Sequence, residues 1–182
     1  MFRFSFYRHM SGWLRSEDPP EIQEAISALE RAPVLGRLSQ EERRELAYSG
    51  HFRCFAPGEV IYHQGDPGLG MYLITRGTVE LLVHVPESGP QDVATLGAGQ
   101  FFGELTLFGP YRRFFTAIAV DEVHTLCLFR PDLEALRIRR PGLTSKFYAA
   151  MAEHLSAQVV ALLGRLQELQ GPITALQLLI PQ

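Results

Sequence analysis

No stretch of this chain approaches the ~18–20 consecutive apolar residues needed to span a bilayer. Nor does the N-terminus join a long apolar core to a small-residue cleavage site, so neither a membrane span nor a signal peptide is expected. Surplus positive charge is also missing: 17 Lys and Arg against 20 Asp and Glu leave a net charge of −3. With a pI near 6.1, that balance argues against a generic nucleic-acid-binding surface. Cysteine is scarce. Cys54 and Cys127 both fall in apolar, strand-like runs and read as buried free thiols of a cytoplasmic protein rather than a disulfide. The motifs of catalysis are absent too: there is no Gly-x-Ser-x-Gly elbow, no phosphate-loop lysine and no dyad. A metal-dependent jelly-roll enzyme would need a His-x-His pair with further ligands around the barrel. Here His51, His63, His84, His124 and His154 are scattered, and His51-x-x-Cys54 stands as an isolated pair. The expectation is no enzyme activity and no metal site.

What the sequence does hold is apolar substance, 46% of 182 residues, enough for one globular domain with helical flanks. Met1–Trp13 alternates Phe2, Phe4, Phe6, Tyr7 and Trp13 with Arg3, Arg8 and His9, and has no acid. Such a segment suits a membrane surface or a protein partner. It would equally suit a strand or helix packed on the domain, or a true start at Met10. Asp18-Pro19-Pro20 reads as a capped helix start with Ile22, Ile26 and Leu29 on one stripe, ended by Pro33. Ser39-Gln40-Glu41-Glu42 is a capping box opening a second helix to about Tyr48.

Beyond that the texture changes. Ten of the 16 glycines lie between Gly58 and Gly109 and separate short runs rich in Val, Ile, Phe and Tyr. That pattern predicts an antiparallel barrel or jelly roll. Strands are expected near 51–55, 60–63, 71–75, 78–85, 92–96, 114–119 and 123–129. Helix returns at Pro131-Asp132-Leu133-Glu134, and a long helix follows from Pro141-Gly142 to about Gln170, stopped by Gly171-Pro172. In it, Met151, Leu155, Val159, Leu162, Leu166 and Leu169 are spaced 4, 4, 3, 4, 3, so the last five make a short heptad seam. The seam serves a homodimer or packs on the chain's own barrel. The tail Ile173–Gln182 is apolar and too short for a further domain. Three segments result: 1–37, the aromatic and basic segment with its helix; 38–140, the β-roll; and 141–182, the long helix and tail.

The stretch with the most chemistry is Gln100-Phe101-Phe102-Gly103-Glu104-Leu105-Thr106-Leu107-Phe108, followed by Arg113-Phe114-Phe115-Thr116 and Ala117-Ile118-Ala119. It reads as a strand end, a glycine turn, one helical turn and a return strand carrying an arginine. Gly103 permits close backbone approach, and the amides opening the Glu104–Phe108 turn can face an anion. Glu104 offers an acceptor for a hydroxyl, and Arg113 a planar fork for a phosphate. Their bland readings are a turn-capping acid and a surface arginine beside Arg112.

These residues resemble the phosphate-binding cassette of the cyclic-nucleotide-binding domain family. The likeness extends to Pro57-Gly58-Glu59-Val60-Ile61, Gln64-Gly65-Asp66-Pro67-Gly68, Met71-Tyr72-Leu73-Ile74, Gly77-Thr78-Val79-Glu80 and Leu96-Gly97-Ala98-Gly99, in the family's order and spacing. It runs from roughly Leu38 to Leu169. The resemblance implies a mainly β fold with flanking helices (α+β), an antiparallel double-stranded β-helix or jelly roll with a long C-terminal helix. It also implies a regulatory sensor that binds a cyclic nucleotide, cAMP by default, through Phe102, Gly103, Glu104, Leu105, Arg113, Phe114 and Thr116. The long helix would cap the ligand and form a dimer interface. In the catabolite-activator type a helix-turn-helix follows that helix; none is expected here, so the chain is read as a stand-alone sensor acting through a partner, without direct DNA binding. One departure stands out. Phe114 and Phe115 replace two small residues of the family's pattern, and Arg112 replaces its proline. On a strand the two rings would face opposite sides, one in the core and one narrowing the phosphate site. The second reading is therefore a domain whose pocket is filled by one of these rings and which serves as an interaction scaffold.

Overall fold

A computed structural model describes residues 18–171, so the expectations for Met1–Trp13 and Ile173–Gln182 lie outside the described residues. Helix α1 (Pro20–Arg31) leads through a 3-10 turn (Leu35–Arg37) to α2 (Gln40–Ser49). Eight strands follow: β1 (His51–Phe55), β2 (Val60–Tyr62), β3 (Gly70–Arg76), β4 (Val79–Val85), β5 (Gly89–Leu96), β6 (Phe101–Phe102), β7 (Thr116–Ala119) and β8 (Val123–Phe129). A second 3-10 turn, Glu104–Thr106, sits between β6 and β7, and α3 (Arg130–Arg139) and α4 (Pro141–Gln170) complete the described elements. The strands form two antiparallel four-stranded sheets, ordered β1-β8-β3-β6 and β2-β7-β4-β5. This is the jelly roll with a long C-terminal helix that the glycine spacing predicts.

Strand alternation divides the interior in two. On β3 and β8, Met71, Leu73, Leu126 and Leu128 face outward and pack with Leu29, Leu46, Phe147 and Met151 of the helices. Ile74 and Val123 face inward and join Phe55, Tyr62, Val79, Leu81, Phe102, Ala117 and Ala119 between the sheets. The sheet containing β3 and β8 is thus apolar on both faces, while β5 is largely exposed.

Three expectations need correction. Asp18 does not cap α1, whose N-cap is Pro19 with no side-chain hydrogen bond. Its carboxylate instead accepts from Arg44 Nε (2.7 Å) and Tyr48 Oη (3.0 Å) of α2, which draws it away from the helix start. Cys54 is exposed and only Cys127 is buried, because alternation sends Phe55 into the roll and turns Cys54 outward. Finally, Phe114 and Phe115 belong to no strand. The backbone around Arg113 pairs with a loop instead, Arg113 N–H donating to Asp66 O and Gly65 N–H to Arg113 O, so period-two alternation begins only at Thr116.

Candidate ligand site

Between the β4–β5 hairpin, the 3-10 turn after β6 and helix α4 lies a cavity of about 510 Å³. Tyr62, Leu81 and Phe102 form its floor, Gly103 to Thr106 and Arg113 one wall, and Leu155, Gln158, Val159 and Leu162 of α4 another. The volume is within the 300–1,000 Å³ range of small-molecule sites, and the lining is mostly apolar with a few polar groups.

Arg113 is 5% exposed. Its Nη1 donates to Gly103 O (2.9 Å) and Thr106 Oγ1 (2.9 Å), while the guanidinium carbon lies 4.3 Å from the Tyr62 ring centroid and 5.5 Å from that of Tyr72. Ring faces attract the cation, and the two hydrogen bonds fix the roll of the fork. Among the described residues no carboxylate lies within ion-pair distance of it. A buried cation lacking an anionic partner is costly, and a ligand anion in the cavity would relieve that cost. Burial raises the hydroxyl pKa of Tyr62 and Tyr72 above the usual phenol value, with Arg113 opposing the rise. Both phenols therefore stay neutral around the arginine.

Gly103 makes this approach feasible. Its φ is +79°, and a Cβ there would stand 2.3 Å from Arg113 Nη1. No L side chain fits that angle and that gap together. Glu104 is 7% exposed and lines the cavity facing α4, where Gln158 Nε2 donates to its Oε1 (3.4 Å) and His154 Nε2 lies 3.9 Å away. His154 in turn meets the Phe101 ring edge-on at 4.8 Å.

The remaining sequence-predicted residues divide. Phe102 is buried and stacked on Tyr72 (5.2 Å between centroids), forming floor rather than rim. Leu105 is partly exposed on the wall. Thr116 does not line the cavity; its Oγ1 accepts from Gln64 N–H (3.0 Å) and ties β7 to the preceding loop. Phe114 (55% exposed) and Phe115 (partly packed on the roll core) both line the cavity, since neither obeys strand alternation, and the hollow remains between them and α4. His51 turns from Cys54 to Asp132 (3.0 Å). Sequence reasoning missed Thr106, Tyr62 and Tyr72, which hold the arginine. Thr106 carried a signal, a hydroxyl inside the Gly103–Phe108 stretch, whereas Tyr62 and Tyr72 carried none.

On the seam of α4, Leu155, Val159 and Leu162 face the cavity, Leu166 is half-buried and Leu169 is 80% exposed. The same side of the helix therefore serves the cavity and projects beyond it. No described helix is long and apolar enough to cross a membrane.

Comparison with known proteins matches residues 52–140 to the cyclic nucleotide-binding domain. The cyclic AMP receptor protein of Thermus thermophilus is 35% identical over 125 residues, 68% of this chain and 57% of that protein. A cAMP-dependent protein kinase regulatory subunit of Hypocrea atroviridis is 35% identical over 108 residues, 59% of this chain and 22% of that protein. The chain thus spans only part of the length of these relatives. Among solved structures, the N-terminal domain of a transcriptional regulator from Streptomyces coelicolor superposes with a TM-score of 0.68 at 32% identity, covering 74% of this chain and 94% of that one. Motif order, two-sheet topology and these similarities agree, and the chain belongs to the cyclic nucleotide-binding domain family.

Proposed function

We propose that this protein is a regulatory receptor for a cyclic nucleotide, with cAMP as the ligand, and that occupancy is passed to α4. The observation that carries the reading is Arg113: a buried guanidinium, oriented by Gly103, Thr106 and Tyr62, with no carboxylate partner among the described residues, on the wall of a 510 Å³ cavity. A cyclic phosphate supplies the missing anion and can accept a bidentate pair. Glu104, on the same wall, accepts from a ribose hydroxyl in place of Gln158. The base then lies against the apolar strip of Leu155, Val159 and Leu162. Because that strip belongs to α4, ligand binds one helix position better than another and shifts its population.

The homodimer through Leu155, Val159, Leu162, Leu166 and Leu169 is part of the proposal, and the exposure of Leu169 supports it. Titration calorimetry with cAMP, cGMP and a cyclic dinucleotide tests the ligand. cAMP at 100 times its dissociation constant should add about 2.7 kcal/mol of apparent stability in a thermal shift. Absence of binding by all three would instead favour the interaction scaffold, for which the two phenylalanines at the cavity speak.

A further inference from the structure

We propose that Cys54, Glu122 and His124 form a binding site for a thiophilic divalent cation of the Zn²⁺ class, on the outer face of the β1–β8 ladder. Their ligand atoms lie within 4.8 Å of one another. The backbone explains why. Cys54 is the direct cross-strand partner of His124, so their side chains leave the sheet on the same face. The next pair, Phe55 and Val123, is buried in the roll, which fixes Cys54 and His124 as outward-facing. Glu122 precedes His124 by two residues and shares its side, and its Oε1 already lies 3.0 Å from His124 Nε2.

A thiolate, an imidazole and a carboxylate make a donor set suited to Zn²⁺, and three protein ligands leave the fourth tetrahedral position to water. Zinc bonds of about 2.0–2.3 Å place donors roughly 3.3–3.8 Å apart, which exposed side chains reach by rotation about χ1 and χ2. The surrounding charge is mixed: Glu59 adds a negative charge near the thiol, and Arg76 a positive one. Cys54 and Glu122 are exposed, so the cation needs no entry path. In structural terms it would clip the edge strand β1 to the turn before β8. The cavity and its arginine take no part.

Co²⁺ titration of the intact, untagged protein provides the test. A 1:1 complex with the thiolate-to-cobalt absorption band is expected, displaced by Zn²⁺, and Cys54→Ser should abolish the band. Changing a residue that merely supports a metal ligand costs about 10–100-fold in affinity, so His124→Ala and Glu122→Gln should each weaken binding at least about tenfold. Independently, Zn²⁺ at about ten times the parent's dissociation constant should slow alkylation of Cys54 by a small thiol reagent about tenfold in the parent, and no more than about twofold in His124→Ala at the same concentration. Buried Cys127 serves as the internal control for unfolding, read by mass spectrometry. Absence of the cobalt band overturns the proposal, as does an alkylation rate indifferent to Zn²⁺. Equal affinity in His124→Ala or Glu122→Gln overturns the three-residue site.

Discussion

Arg113 shows how much one side chain organises when its charge is buried. Arg113→Ala should reduce cAMP affinity by about 2–5 kcal/mol, tens to thousands of fold, measured by calorimetry. Glu104→Ala removes an acceptor from the ligand hydroxyl and should cost less, about 1.5–3 kcal/mol. An Arg113→Ala protein that binds cAMP as tightly as the parent would falsify the assignment. The two phenylalanines separate by packing. Phe114 is 55% exposed, so Phe114→Ala should change stability by no more than about 1 kcal/mol, whereas Phe115, packed on the roll core, should cost more. If either ring narrows the phosphate site, its alanine variant gains cAMP affinity in the same titration; an unchanged affinity removes steric narrowing as an explanation. At this scale the sequence made Gly103, Glu104 and Arg113 legible, because their mutual spacing is local. Tyr62 and Tyr72 were not, since the fold of the roll brings them to the arginine from separate strands, and Thr106, though local, shows its role only once its hydroxyl is seen to accept from Arg113. Phe114 and Phe115 were misplaced because strand alternation was extended into a stretch that pairs with a loop.

Among the elements, α2 and α4 are joined by charge. Ser39 and Glu42 form a reciprocal capping box, and Lys146 Nζ donates to Glu42 Oε1 (2.6 Å). The Lys146 hydrogen bond, and then the Ser39 backbone N–H, hold the Glu42 carboxyl below its ordinary 4.5. A lowered folded pKa gives stability that is present above the ordinary carboxylate range and lost as pH falls through the folded value. Solvent screens the pair, so Glu42→Gln should cost at most about 1 kcal/mol near neutrality, and the gap to the parent should shrink in acid denaturation series. Ser39→Ala should cost about 1 kcal/mol by urea melting. For α4, Leu162→Glu with Leu166→Glu should give monomers in sedimentation while the roll keeps its fold. A parent already monomeric at tens of micromolar assigns the seam to the cavity alone. The capping box and the length of α4 were readable because capping and helix termination are local; that three seam leucines and valines face the chain's own cavity is a tertiary fact that heptad spacing does not contain.

Across the whole molecule, the two-layer interior sets the response to alkali. Burial pushes the Cys127 thiol from 9.0 up to about 11, and the phenols of Tyr62 and Tyr72 rise as well. The folded state holds these protons more tightly than the unfolded chain. The stabilisation is complete below pH 9 and declines above it, by about 2–3 kcal/mol for Cys127 alone as pH reaches about 11. Urea melts at about pH 8 and pH 10.5 should show that loss, with a smaller fall in Cys127→Ala. Such coupling arises because β3 and β8 are covered on both faces, by the helices on one side and the roll interior on the other, which glycine spacing announces only as a roll.

The anchoring of α4 is uneven, and that has a mechanical consequence. Its first turns are fixed: Leu143, Phe147 and Met151 are buried, and Arg37 grips Glu153 with two hydrogen bonds of 2.5 and 2.8 Å. Past Leu155 the helix overhangs the cavity with its far side in solvent. Among the described residues it is a beam held as far as about Met151, with an arm of roughly 28 Å from there to Gln170, at 1.5 Å per residue. A tilt of about 10° about that point would carry the tip about 5 Å along its arc. Gln158, near the root of that arm, would move only a fraction as far, so under the proposed function a small adjustment beside Glu104 would become a large displacement at Leu169.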